Sequence, residues 1–76
     1  MSTLIQALGY DPDTATLGVQ FHDGAVYHYQ HVTPAVYAGL LGATSLGSHF
    51  GQFIRGQYIA VKQEQKADWI KGVPRG

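Results

Sequence analysis

The sequence predicts an α+β domain in which a three-stranded antiparallel sheet is followed by two helices packed on one of its faces. Three observations carry this. Residues 16–21 alternate, putting Leu17, Val19 and Phe21 on one side of a strand. Asp23-Gly24 is a turn signal that sends the chain back through Val26-Tyr27-His28-Tyr29. Thr33-Pro34 then opens a stretch whose apolar spacing is helical.

The elements follow in order. Residues 4–10 are apolar and aromatic enough for a first strand, and Asp11-Pro12-Asp13 ends it with a fixed φ and two side-chain acceptors. Residues 16–21 form the second strand and 25–30 the third. A two-residue turn at Asp23-Gly24 would put Tyr27 and Tyr29 on the face opposite Leu17, Val19 and Phe21. A three-residue loop, His22-Asp23-Gly24, instead pairs Phe21 with Ala25, Val19 with Tyr27 and Leu17 with Tyr29, with Gly24 in the left-handed conformation. The second register gathers the aromatic residues on one apolar face, and Gln20, Val26, His28 and Gln30 point the other way.

Thr33 is the expected cap of the first helix, with Pro34 at its first position and Val32 spaced to staple onto Tyr37. Val36, Tyr37, Leu40 and Leu41 form its apolar stripe. Ser45 caps a second helix that brings Leu46, Phe50 and either Phe53 or Ile54 to one side, and Gly56 is available to end it. The expected core is Leu17, Val19, Phe21, Tyr27, Tyr29, Tyr37, Leu40, Leu41, Phe50 and Ile54. Residues 57–61 offer a short fourth strand. From Gln63 onward the chain is polar apart from Trp69, Ile70 and Val73, which gives a domain at residues 1–61 and a flexible or partly docked tail at 62–76.

Seventy-six residues support one core and leave little stability in reserve. The sequence has no cysteine, so disulfides, thiolate ligands and thiol nucleophiles are excluded. No leader-like segment opens the chain and no apolar run spans a bilayer, so residence in the cytoplasm or a virion is expected over a membrane. Formal net charge is zero, yet its distribution is uneven. Asp11, Asp13 and Asp23 precede Arg55, whereas Arg55, Lys62, Lys66, Lys71 and Arg75 face only Glu64 and Asp68 in the remainder. A locally basic end can meet phosphates; it can equally keep a tail solvated.

Gly9-Tyr10-Asp11, Gly24 through Tyr29, Val32-Thr33-Pro34, Val36-Tyr37, Ala43 through Gly47 and Phe50 through Tyr58 together resemble the KTSC domain. That small module is named from its occurrence at the C-terminus of some lysyl-tRNA synthetases, and it also stands alone in bacterial or phage proteins. The resemblance implies a small α+β fold and RNA binding as the family's suggested activity. At two positions the chain departs from the pattern. His28 stands between the paired tyrosines in place of a permanent cation, and Leu46 precedes Gly47 where a basic residue is common. Both changes reduce phosphate attraction at neutral pH.

The remaining chemistry-bearing residues have structural explanations. His22, His28, His31 and His49 lack the local spacing of a metal set. Ser45 is a helix cap and the Asp11, Asp13 pair belongs to a turn, so no connected catalytic constellation and no cofactor site is expected. The reading is a noncatalytic binding module. For RNA or single-stranded nucleic acid, Arg55, Lys62 and Lys66 would meet phosphates while Tyr58 and Trp69 stacked on bases. The alternative is a protein-interaction or structural accessory domain, homodimerisation included, using Val26, Trp69-Ile70 or an open sheet edge.

Overall fold

A computed structural model describes residues 5–72. Leu4, at the head of the expected first strand, and residues 73–76 of the expected tail, Val73 and Arg75 among them, lie outside the described residues. The elements run β1 (Ile5–Asp11), β2 (Thr16–Phe21), β3 (Val26–Tyr29), α1 (Pro34–Leu41), α2 (Leu46–Phe53), β4 (Ala60–Gln63) and β5 (Lys71–Gly72). All strands join one antiparallel sheet in the order β4-β3-β2-β1-β5. The α+β class and the two helices on one face agree with the sequence, but the sheet has five strands instead of three. The fourth lies at Ala60–Gln63, shifted from 57–61, and residues 71 and 72 supply a fifth. Both additions are short edge strands held through backbone pairing, so neither carries the alternating apolar pattern that marks β2.

Local chemistry sets the connections. The Asp13 amide donates to Asp11 Oδ1 at 3.1 Å, closing the turn between β1 and β2. In the β2–β3 hairpin, Gly24 has φ +92°, its amide donates to the Phe21 carbonyl at 2.9 Å, and the Phe21 amide donates to the Ala25 carbonyl at 2.8 Å. Leu17 consequently pairs with Tyr29 and Val19 with Tyr27, the register of the three-residue loop. Thr33 accepts the Val36 amide at 3.2 Å, and Ser45 accepts the Ser48 amide at 3.4 Å, so both expected caps form.

The helices close one face of the sheet. Leu17, Val19, Val32, Leu40 and Ile54 are completely buried there, and Phe50 meets Phe21 and Tyr29 edge-on at 5.8 and 5.4 Å. Tyr10 stacks on Tyr37 at 4.9 Å, and its hydroxyl donates to the Val32 carbonyl, tying β1 to the start of α1. Leu41 departs from the expected core, and of the alternatives Phe53 and Ile54 it is Ile54 that is buried. Leu41 is 39 % exposed because its neighbour Leu40 takes the sheet-facing direction of the helix, and Ile54 fills the place that leaves Phe53 exposed.

The opposite face, expected to be polar, holds a second apolar cluster of Ala7, Val26 and Ile70 with Ala67 and Trp69 packed against it. Beyond β4 the chain turns back and lays residues 67–70 across that face before β5 pairs Lys71 with Leu8 and Gly72 with Ala7. Gly9 and Gly18, direct partners across β1 and β2, form the seat. A Cβ on Gly9 would lie 2.0 Å from the Trp69 carbonyl oxygen, and one on Gly18 would lie 2.5 Å from Ile70 Cδ1. Only residues without a side chain let this segment come so close.

Candidate functional site

A cleft of about 550 Å³ opens at the end of the sheet beside the β2–β3 hairpin. Phe21, Ala25, Tyr27 and Tyr29 wall it, Ala60 of β4 forms one side, and Arg55, just beyond α2, completes the lining. His22 and Asp23 contribute from the hairpin loop. Each wall follows from local folding. The hairpin register turns Tyr27 and Tyr29 to the helix side, where Phe21 meets Tyr27 edge-on at 5.8 Å. The α2 helix ends with the Ile54 and Arg55 amides both donating to the Phe50 carbonyl at 2.9 Å, and Gly56 follows with φ +80°. That turn delivers Arg55 to the mouth of the cleft.

The electrostatics are simple. Burial raises the Tyr29 hydroxyl above the ordinary phenol range; Arg55 pulls it partly back and Tyr27 adds to the rise. Tyr29 therefore stays protonated at neutral pH and can donate a hydrogen bond. Arg55 is exposed and pairs with no carboxylate among the described residues. An apolar, tyrosine-walled hollow with an uncommitted guanidinium suits an apolar or aromatic group attached to an anion. Among the described residues no group of three or more His, Cys, Asp or Glu is placed to hold a metal ion. No described helix is long and apolar enough to cross a membrane.

The residues singled out for nucleic acid separate into two sets. Arg55 reaches the cleft, Tyr58 packs partly buried against the main core, and Lys62 stands opposite Tyr27, exposed on the helix side of β4. Lys66 is exposed in the turn after β4. Trp69 lies on the other face, with its ring centroid 5.2 Å from that of His28. Tyr58 and Trp69 thus sit on opposite sides of the sheet. Val26, offered as an exposed apolar contact, is 4 % exposed beneath the docked segment. The sequence reading put Tyr27 and Tyr29 on the correct face but missed their joining Arg55, because it had no measure of where α2 ends. Gly9 and Gly18 inside strands were the available signal for the second face.

A small α+β domain with an apolar, tyrosine-walled cleft beside its β2–β3 hairpin is the class these features define. The KTSC domain model matches residues 1–58, and the chain belongs to the KTSC domain family. An uncharacterized protein of Stutzerimonas stutzeri is 46 % identical over 57 residues, covering 75 % of this chain and 80 % of that protein. A lysine–tRNA ligase of Nostoc punctiforme is 39 % identical over 56 residues, 74 % of this chain but 10 % of the ligase. The crystal structure of a KTSC domain protein from Yersinia pestis superposes with a TM-score of 0.71 at 30 % identity, covering 83 % of this chain and 90 % of that one. The cleft-lining residues Phe21 to Arg55 fall inside the family match, whereas β4, the docked segment and β5 follow it.

Proposed function

We propose that this domain is a noncatalytic interaction module that binds an extended segment of a protein partner at the Tyr27–Tyr29–Arg55 cleft and the adjoining edge of β4. The observation that carries this reading is the way the domain recurs: it makes up a tenth of a large ligase and most of a small protein. That is the pattern of a unit that accompanies other activities. The geometry fits the role. Among the described residues strand β4 has a neighbour on one side only, so its other edge offers backbone groups to an incoming strand, and alternate side chains of that strand would face the cleft. An acidic or C-terminal carboxylate would meet Arg55 while an apolar neighbour lay against Tyr27 and Phe21.

Single-stranded RNA is the competing ligand. It would use Arg55, Lys62 and Tyr58, because Trp69 is on the far face and cannot stack on the same bases. A selection of displayed dodecapeptides on the wild-type chain, counter-selected on Arg55→Glu, tests the proposal. The expected result is enrichment of peptides with a carboxylate, binding about tenfold or more weaker to Arg55→Glu, with amide shifts at Tyr27, Tyr29, Ala60 and Lys62. No enrichment, together with selective shifts at Arg55, Tyr58 and Lys62 on adding a short single-stranded RNA at low salt, would replace it with the nucleic-acid reading.

A further inference from the structure

We propose that residues 67–72 form a proton-sensitive latch, closed over the outer face of the sheet while His28 is neutral and loosened when His28 takes a second proton. The latch is a distinct piece of structure. It is held by two strand pairs to β1, by Ile70, which is 2 % exposed, and by the close approach of the Trp69 carbonyl to Gly9. A further backbone bond is local, from the Ile70 amide to the Ala67 carbonyl at 3.1 Å. Such a short strand with so little pairing opens more readily than β1 to β3.

His28 sits where the latch closes. Its strand partners are Gly18 in β2 and Val61 in β4, and the Trp69 ring tilts over it at 40°. Nε2 is buried with no hydrogen-bond partner. Adding a proton there creates a charge and a further N–H donor in a place that has no acceptor for it. Among the described residues no charged side chain compensates. Val26 on β3 and Gln30 just past its end flank His28, Gly18 and Gln20 face it from β2, and Val61 and Gln63 face it from β4. On the latch Asp68 and Lys71 are exposed, as is Lys66 just before it; on β4, Lys62 lies on the other face of the sheet, and Glu64, just past its end, is exposed. Burial alone, with no charge contribution, holds His28 below the ordinary histidine value.

The direction of the effect follows. Above about pH 6.5 an open and a closed latch both hold neutral His28, and closure keeps its full strength. As pH falls below that, the open form binds the proton first. The closed-to-open ratio then drops by up to about tenfold per pH unit until the lower pKa of the closed form is reached.

The test uses the full chain between pH 8 and 5. Amide exchange at Ile70, Lys71 and Gly72 and emission from Trp69 report the latch, and the methyls of Leu17 and Val19 report the core. Loss of protection and a red shift in emission below pH 6.5, with core methyls unchanged and absent in His28→Phe, is the expected result. In the wild-type protein the His28 ring protons should titrate with the same midpoint as the Trp69 indole, a comparison that stands even if the variant folds poorly. A latch whose protection is constant to pH 5, a pH response that survives in His28→Phe, or Trp69 and core methyls changing together would each overturn the proposal.

Discussion

Replacing Gly9 with alanine adds one methyl group where the backbone of the returning segment passes over the sheet. The new carbon would lie 2.0 Å from the Trp69 carbonyl oxygen, 2.8 Å from its carbon and 2.9 Å from Ile70 Cα. Ordinary contact begins at 3.4 Å, so the carbonyl must withdraw by 3.4 − 2.0, about 1.4 Å. All three obstacles are backbone atoms, which cannot escape by changing rotamer. Either β1 and the segment strain apart, at about 1–3 kcal/mol for an overpacked site, or the segment lifts and Ile70 loses its burial, at about 1.5–3 kcal/mol. The cheaper route sets the loss, about 1–3 kcal/mol, which lowers the Tm of a domain this size by roughly 5–20 °C. Trp69 is the sole tryptophan, so thermal melts followed by its emission read the segment directly. Gly51→Ala is the internal control. That glycine lies within α2 with nothing within 4 Å of an added Cβ, so the change should stabilise by about 0.5–1 kcal/mol. A Gly9→Ala protein with unaltered Tm and emission would refute the argument, as would equal destabilisation by the two substitutions.

Other expectations follow from single contacts. Tyr10→Phe removes the hydroxyl that donates to the Val32 carbonyl and should lower stability in urea by about 1 kcal/mol; no change would mean that water replaces the bond without loss. Leu17→Ala empties a wholly buried position in the centre of the sheet and should cost about 2–5 kcal/mol in the same assay. Arg55→Glu should leave the melting curve within about 0.5 kcal/mol of wild type while weakening peptide capture, since surface substitutions seldom disturb folding. A large loss of stability would place Arg55 in the scaffold.

The half of the fold governed by local patterning was legible. Leu17, Val19 and Phe21 alternate, Gly24 selects the hairpin loop, and Thr33 and Ser45 sit where caps are needed. Each of these signals acts over a few residues. The return of the chain was hidden because its attachment depends on long-range fit. Nothing in Lys71-Gly72 resembles a strand, and Trp69-Ile70 finds its place only through Gly9 and Gly18, some fifty to sixty residues earlier in the sequence. The same division holds for the cleft. Tyr27 and Tyr29 could be assigned to a common face from their period of two, whereas their meeting with Arg55 required the angle at which α2 ends. Leu41 and Phe53 show the limit of helical stripes, since neighbouring apolar residues are about 100° apart and a short helix buries only one of each pair.

The pairing of Ala7 with Gly72 puts β5 on one border of the sheet and leaves Ala60 of β4 on the other, whereas Ile5, at the head of β1, pairs with the cleft residue Phe21. Four inter-strand spacings separate those borders, roughly 19 Å. A polypeptide fused after Gly72 would set out from the β5 border, whereas one fused ahead of Ile5 would set out beside Phe21 at the cleft end of the sheet. Attachment through the Gly72 end therefore keeps a larger protein a full sheet width from the open edge of β4.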